Sequence, residues 1–347
     1  MCSFFSHLPF AKGGRGDYNS LVKMKAFRHL YGPVPSRRLG SSLGIDLVPH
    51  KICTYDCIYC QIGKTTEKTL LRKEYIPSKE VLEEVKAFLG GGSSSVDYLS
   101  LGGSGEPTLH SQIRSIIGEI KGFSSIPVAV ITNGSLLYDE KVSEDLLQAD
   151  IVLPSLDGVS SEIFMKINRP HPGLSVEKVI QGMAEFRKIY KGQIWLEILF
   201  CRGVNDSEIE LRRMKEAVDR IQPDLIHLNT VIRPPSEEWA IPLSRKEMEE
   251  IRNFLGERAS IISEFDRHLP PVPGRDLKER ILKILRRRPL SLADLSIKMG
   301  IFPDELERSI ALLVKGGDIQ IRIFGDVIYY EAVTKKVFIH TVINNCA

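Results

Sequence analysis

The chain has 347 residues, 43% of them hydrophobic, which suits one large domain of roughly 250 residues with a smaller companion. No apolar run approaches the ~20 residues of a membrane helix, and Met1–Phe10 has neither the basic segment nor the apolar stretch of a secretory signal, so a cytoplasmic protein without a membrane partner is expected. The net charge of +3 is uneven: residues 1–43 carry seven Lys/Arg and one acid, residues 275–347 thirteen and nine, and residues 44–274 stand near −7. That pattern is either ordinary surface variation or a sign that both ends face an anionic partner.

Residues 1–24 are irregular and glycine-rich, and Met24 opens a patterned segment, so this stretch reads as a disordered or mis-started tail. From residue 43 to about 258, strand-like runs alternate with helical ones. The strands are Leu43–Val48, Val96–Leu101, Val128–Thr132, Ile151–Leu156, Ile194–Phe200 and Asp224–Leu228. They are short, β-branched and nearly continuously apolar, as strands buried on both faces of a parallel sheet are. Amphipathic helices fall at Ser78–Leu89, His110–Lys121, Asp139–Gln148, Ser175–Tyr190, Ser207–Ile221 and Ser244–Leu255. Six strand–helix repeats predict an α/β fold, a (β/α)6 partial TIM barrel over residues 25–267. Its chemistry belongs on the loops that follow the strands. Residues 268–274 hold three prolines and a glycine and read as a stiff linker. Beyond them come a helix over Leu277–Arg288, a Ser291-capped helix to Met299, a helix over Pro303–Lys315 and a hairpin turning at Gly325–Asp326. This is the order of a C-terminal winged-helix domain over residues 275–335, with 336–347 as a tail.

Six cysteines in a chain this long do not make a secreted disulfide framework. Three are clustered, in Cys53-Thr-Tyr-Asp-Cys57-Ile-Tyr-Cys60, on the loop after the first strand; Cys2, Cys201 and Cys346 are scattered. Thiolates are soft ligands that suit iron–sulfur clusters, zinc and copper. Electron-transfer 4Fe–4S sites and structural zinc sites use four ligands, and no fourth cysteine is near. Three thiolates leave one iron open to a chelating ligand; a zinc knuckle is the alternative.

The spacing Cys-x3-Cys-x2-Cys, with Tyr59 before the last cysteine, resembles the defining motif of the radical S-adenosylmethionine (SAM) superfamily. The resemblance implies that Cys53, Cys57 and Cys60 hold a 4Fe–4S cluster whose open iron binds SAM. It also implies that an electron from an external donor of flavodoxin or ferredoxin type yields methionine and a 5′-deoxyadenosyl radical, which takes hydrogen from a substrate. Gly102-Gly-Ser-Gly-Glu-Pro-Thr108 follows the second strand, and glycines there let a ligand approach the backbone closely. The segment resembles the superfamily's Gly-Gly-Glu motif, with Ser104-Gly105 inserted before Glu106. This implies SAM contacts from Gly103, Ser104, Gly105 and Glu106. Asn133, Ser155 and Asp157 lie at the ends of the third and fourth strands, where short polar residues also serve as turn formers; by resemblance they meet the ribose and the methionine carboxylate of SAM.

Tyr31-Gly-Pro-Val-Pro-Ser-Arg-Arg-Leu-Gly40 resembles one branch, which groups wyosine-type tRNA base synthases with other iron–sulfur oxidoreductases, over about residues 25–258. Only Cys2 lies upstream of Cys53, so a second cluster is not supported. Arg37 and Arg38 are anion ligands or surface charge, and Arg169 a carboxylate ligand or a solvated loop residue. Asn205-Asp206 reads as a helix cap and Cys201 as a small buried hydrophobe. A redox- or metal-sensing winged-helix regulator and a cluster carrier are the competing readings. The acids Asp304, Glu305 and Glu307 opening the third helix would repel phosphates. The C-terminal domain is therefore expected to recruit a protein or RNA substrate rather than to read DNA, with Lys283 and Arg286–Arg288 as a basic cluster where an anionic surface such as structured RNA could dock.

Overall fold

The computed structural model describes residues 27–36, 38–91, 96–262, 277–299 and 303–333. The expectations for residues 1–24, the 268–274 linker and the 336–347 tail lie outside the described residues.

Strand β1 (Leu30–Ser36) runs antiparallel to β2 (Gly40–Ile45). Two short strands, β3 (Ile52–Cys53) and β4 (Glu67–Lys68), pair within the loop after β2. Then follow α1 (Ser78–Gly90), β5 (Tyr98–Leu101), a single 3-10 turn (Pro107–Leu109), α2 (Ile113–Phe123), β6 (Val128–Thr132), α3 (Glu140–Asp145) and β7 (Ile151–Pro154). After these come α4 (Ser161–Ile167), α5 (Val176–Ile189), β8 (Gln193–Phe200), α6 (Glu208–Ile221), β9 (Leu225–Thr230), α7 (Arg245–Leu255) and β10 (Ala259–Ile261). The sheet order is β1-β2-β5-β6-β7-β8-β9-β10, parallel from β2 onward. The α/β class and the six expected strands are therefore present, with shifted ends: the first stops at Ile45, and the second helix, expected from His110, starts at Ile113 after the 3-10 turn.

Of the elements that were not expected, β1, β10 and α4 belong to the large sheet and its helices. Strand β1 contains Pro33 and Pro35, which lack the N–H a central strand donates; as an edge strand it tolerates them. Strand β10 is three residues long and α4 seven, too short for a periodicity to register.

Apolar strand residues such as Leu43, Leu99, Val130, Val152, Ile198 and Leu228 are fully buried against helix faces such as Ile113, Ile116, Ile117 and Ile120 of α2. Each such side chain contributes about 1.5–3 kcal/mol on burial. Serines begin α5, α6 and α7, their hydroxyls accepting from the N–H three residues on, and Ser244 with Glu247 completes a reciprocal capping box.

The sheet is curled. Arg38, in the turn before β2, pairs with Glu197 of β8, four strands away in sheet order. A flat sheet would separate those strands by roughly 19 Å. A cavity of about 390 Å³ lies inside the curl, lined by residues of both flanks.

The C-terminal module comprises α8 (Leu277–Leu285), β11 (Leu290–Ser291), α9 (Leu292–Met299), α10 (Pro303–Lys315), β12 (Ile319–Phe324) and β13 (Val327–Ala332). Its sheet order is β11-β13-β12. Its core of Ile281, Leu285, Leu295, Leu306 and Ile310 is separate from that of the large sheet. It touches both ends of that sheet. Tyr329 donates to the Ile232 carbonyl (2.7 Å) in the segment after β9, Lys283 donates to the Phe27 carbonyl ahead of β1, and Arg287 pairs with Asp46 after β2. Among the described residues no helix is long and apolar enough to cross a membrane.

Candidate active site

The loop after β2 carries the three cysteines, and backbone pairing rather than its own length fixes it. Ile58 and Asp56 donate to the carbonyls of Ile167 and Asn168 (both 3.0 Å), His171 donates to that of Thr54 (2.8 Å), and the Ser236 hydroxyl donates to those of Cys57 and Ile58 (both 2.9 Å). Each sulfur receives a side-chain N–H donor: Cys53 from the Asn133 amide (3.5 Å), Cys57 from the Asn168 amide (3.5 Å) and Cys60 from the Lys51 ammonium (3.1 Å), and Cys53 accepts from the Tyr55 backbone as well. Lys51 is 3% exposed. Burial alone would lower its pKa, but the Cys60, Cys53 and Cys57 sulfurs outweigh it and hold the ammonium above its usual range. Burial pushes the Cys53 thiol up to about 11 and raises Cys57 well above the ordinary range.

The glycine-rich loop after β5 lies directly beside the cysteines. Gly102 and Gly103 have φ of 147° and 136°, and a Cβ on Gly105 would collide with the Ile52 carbonyl oxygen. Ser104 donates its N–H to Asp46 (3.0 Å), and its carbonyl accepts from Lys51 N–H (2.6 Å). Tyr31 donates to the Gly102 carbonyl (2.7 Å). Glu106 is 2% exposed, and its carboxylate accepts from the Thr108 N–H and hydroxyl, the Thr132 hydroxyl and the Asn133 N–H at 2.6–3.0 Å. Glu106 thus pins the loop after β6 to the loop after β5. Burial raises its pKa against those four donors.

Gly103, Ser104, Gly105, Glu106, Asn133, Ser155 and Asp157 all line the cavity, together with Cys53 and Cys60. The sequence therefore named residues that the fold brings together. Their side chains differ in what remains available. Ser155 makes only backbone pairings, leaving its hydroxyl to the cavity. The Asp157 carboxylate is already held by the Tyr59 hydroxyl, the Asn168 amide (2.7 Å) and the Leu199 N–H (2.9 Å), and burial pushes its pKa up to about 6. Through Asn168, Asp157 braces the cysteine loop.

Other expectations need correction. Asn205 is no helix cap: it is buried, donating to the carbonyls of Asp157 (2.7 Å) and Leu199 (2.8 Å), while Ser207 caps α6. Arg169 is bonded to Glu237 (2.7 Å). Cys201 is fully buried, as expected. Arg38 is turned into the cavity and paired with Glu197; Arg37 lies outside the described residues. The basic cluster of α8 and its C-terminal turn is only partly outward: Arg286 is exposed, its neighbours half-buried. Lys283 and Arg287 bind the large sheet, and Arg287 and Arg288 line the cavity. Glu197, Asn229 and Arg233 complete the lining and were not singled out in the sequence. Only the positive charge of the two chain ends hinted at this.

Three thiols without a fourth ligand suit a polynuclear cluster better than a single ion. Among the described residues no three His, Cys, Asp or Glu side chains come close enough to share one metal ion, whereas a cluster presents a different iron to each thiolate. The Cys53 and Cys57 sulfurs, raised in pKa by burial, need cationic metal to ionise.

The model of the radical SAM superfamily matches residues 47–214. A Brachyspira hyodysenteriae protein named GTPase Obg is 36% identical over 311 residues, 89% of this chain and 45% of that protein, so the chain spans less than half of that relative. A UPF0026 protein of Helicobacter pylori is 34% identical over 266 residues, 76% of this chain and 85% of that protein. A radical SAM methyltransferase structure from Sphaerobacter thermophilus aligns with a TM-score of 0.47 at 15% identity, covering 63% of this chain and 66% of that one. Proteins of the matched superfamily bind a 4Fe–4S cluster and SAM, and Cys53, Cys57 and Cys60 fit that cluster.

Proposed function

The chain belongs to the UPF0026 family and to the radical SAM superfamily, and on that premise we propose that it is an enzyme performing SAM-dependent radical chemistry on an organic substrate. The observation that carries the reading is one loop offering three thiols, each with its own N–H donor and no fourth ligand, beside a glycine-rich loop on the same cavity. Cys53, Cys57 and Cys60 hold the cluster. When bound and reduced, a cluster held by Cys53, Cys57 and Cys60 would supply the one electron for reductive cleavage of the SAM sulfonium C–S bond, and so the radical chemistry on substrate hydrogen.

The chain's own residues bind and orient. The backbone of Gly103, Ser104, Gly105 and Glu106 faces SAM, with the two positive-φ glycines keeping side chains out of the way. The Ser155 hydroxyl takes a polar group of the cofactor, while Asn133 and Asp157 act mainly by holding Cys53 and the Tyr59–Asn168 pair. The curled sheet is read as a (β/α)6 partial TIM barrel within a core of residues 25–267, and residues 275–335 as a winged-helix-like domain. The Tyr31–Gly40 segment supports the wyosine-type branch: it is β1 and the turn that carries Arg38. The electron comes from a flavodoxin- or ferredoxin-type donor, in the cytoplasm. A sensing regulator needs no cavity beside its cysteines, which weighs against that alternative.

Anaerobic reconstitution tests the reading. About four irons per chain are expected, with reductant-dependent conversion of SAM to methionine and 5′-deoxyadenosine. Alanine at Cys53, Cys57 or Cys60 removes both, whereas Cys201→Ala retains the iron. Stoichiometric zinc without iron, or a reduced, iron-loaded protein that leaves SAM intact, refutes it.

A further inference from the structure

The glycine-rich loop after β5 has two kinds of anchor. Backbone groups supply the first. Gly102 donates its N–H to the Ile45 carbonyl (3.1 Å), the Ser104 carbonyl accepts from Lys51 N–H (2.6 Å), and Glu106 donates to the Ile52 carbonyl (3.0 Å). Side chains supply the second. Asp46 accepts from the Ser104 N–H (3.0 Å), and Tyr31 donates to the Gly102 carbonyl (2.7 Å). Both stand tight against Gly103, where a Cβ would come within 2.5 Å of the Tyr31 hydroxyl and 2.7 Å of Asp46 Oδ1.

One guanidinium reaches both side-chain anchors. Arg287 pairs with Asp46 through Oδ2 while Oδ1 serves Ser104, and its guanidinium carbon stands 4.3 Å from the centroid of the Tyr31 ring. The C-terminal module sets where Arg287 lies. Its N–H donates to the Ile284 carbonyl (3.2 Å) at the end of α8, and β11 begins at Leu290. Ile281, Leu282, Leu285 and Leu290, on either side of it, belong to the module's core. Asp46 is 6% exposed, so without Arg287 its carboxylate is a buried charge stripped of its ion pair. It must then turn toward water or take up a proton, and either change weakens its hold on the Ser104 N–H. The Tyr31 ring at the same time loses the cation packed on it.

We propose that Arg287 is a positioning residue for the cofactor loop: acting through Asp46 and Tyr31, it couples the seating of the C-terminal module to SAM binding. The inference rests on that loop facing SAM, as proposed above. Coupling of this kind is reciprocal. A seated module presents the Gly102–Glu106 backbone already in place, and SAM on that backbone holds the module down.

Hydrogen exchange and SAM titration of the cluster-reconstituted full chain test this. In the SAM-free protein, Arg287→Met should speed amide exchange in residues 102–106 about fivefold or more, with residues 128–132 of β6 unchanged. It should weaken SAM binding about tenfold. SAM should slow exchange in residues 283–291 of the wild type and not of the variant. A double-mutant cycle identifies the route. Asp46→Asn keeps an acceptor for the Ser104 N–H and loses the ion pair, so in that background Arg287→Met should weaken SAM binding by no more than about threefold. Should Arg287→Met fail to fold, Asp46→Asn and Tyr31→Phe carry the comparison, each weakening SAM binding about threefold or more; no loss in either overturns the inference. So does unchanged loop exchange in Arg287→Met, wild-type SAM affinity in that variant, or a tenfold loss that persists in full beside Asp46→Asn. A wild-type, iron-loaded protein that takes up no SAM, while Arg287→Met still frees the loop, refutes the SAM reading and leaves the hold of Arg287 on the loop standing.

Discussion

On the cysteine side of the cavity, the buried carboxylates meet neutral donors of the same fold. Glu106 takes four and Asp157 three, from backbone N–H groups, hydroxyls and an amide. On the arginine side charges meet charges, with Arg38 on Glu197, Arg287 on Asp46 and Arg233 reaching toward Asp294. The first arrangement has little to exchange and holds its shape, as a permanent cofactor requires. The second holds only while parts distant in the chain stay seated on one another.

The largest break in this contrast comes from the rigid side. Gly105→Ala forces the loop away from Ile52 and is expected to cost about 3 kcal/mol in urea unfolding. Gly63→Ala is the control: its Cβ meets nothing within 4 Å, and its positive φ costs about 1 kcal/mol. Equal losses would show that close approach is not what Gly105 provides.

The charged side is sharpened by pH. His227, packed on Trp195 and facing Arg38 and Glu197, has its pKa lowered to about 4 by burial and then by Arg38. The unfolded chain takes that proton near 6.5, the folded chain only near 4. Its contribution is therefore complete above pH 6.5 and falls by up to about 1.4 kcal/mol per pH unit down to about 4. His227→Gln should flatten stability over that window. An unchanged slope between pH 6.5 and 4.5 would show that the imidazole protonates freely in the fold.

The smallest effect belongs to the join. Tyr329→Phe removes one bond to the Ile232 carbonyl and should cost about 1 kcal/mol. The loss should appear as faster hydrogen exchange in residues 277–333, with iron content unchanged. Equal acceleration throughout the chain would show that the module does not loosen as a separate unit.

The cysteine side could be read from sequence because its parts are contiguous. Cys53–Cys60 and Gly102–Thr108 each lie on one loop, and the six apolar strands that present them are long enough to register. The arginine side could not, because Arg38, Arg233, Arg287 and Arg288 meet only after the sheet curls and the module seats. Arg38 and the Arg286–Arg288 run were legible only as separate basic stretches, within chain ends more positive than the acidic middle, and the structure gives that a meaning: Arg38 and Arg287 pair with Glu197 and Asp46 of the middle. Strand β1 stayed hidden behind its prolines. Asn205 read as a helix cap and Asp157 as a polar strand-end residue, but the bonds that make them braces cross between loops and leave no local signal.

The side-chain N–H donors on the cysteine sulfurs have an electrochemical consequence. Hydrogen bonds to the sulfurs and nearby positive charge make an iron–sulfur cluster easier to reduce. Two of the three donors are neutral amides, from Asn133 and Asn168, and the third is the buried ammonium of Lys51. The cluster's electrical environment is therefore asymmetric, with cationic charge concentrated at Cys60. Lys51→Met should move the midpoint potential to a more negative value than Asn168→Ala does. The voltage at which a redox partner can deliver its electron is thus tuned by residues outside the cysteine motif.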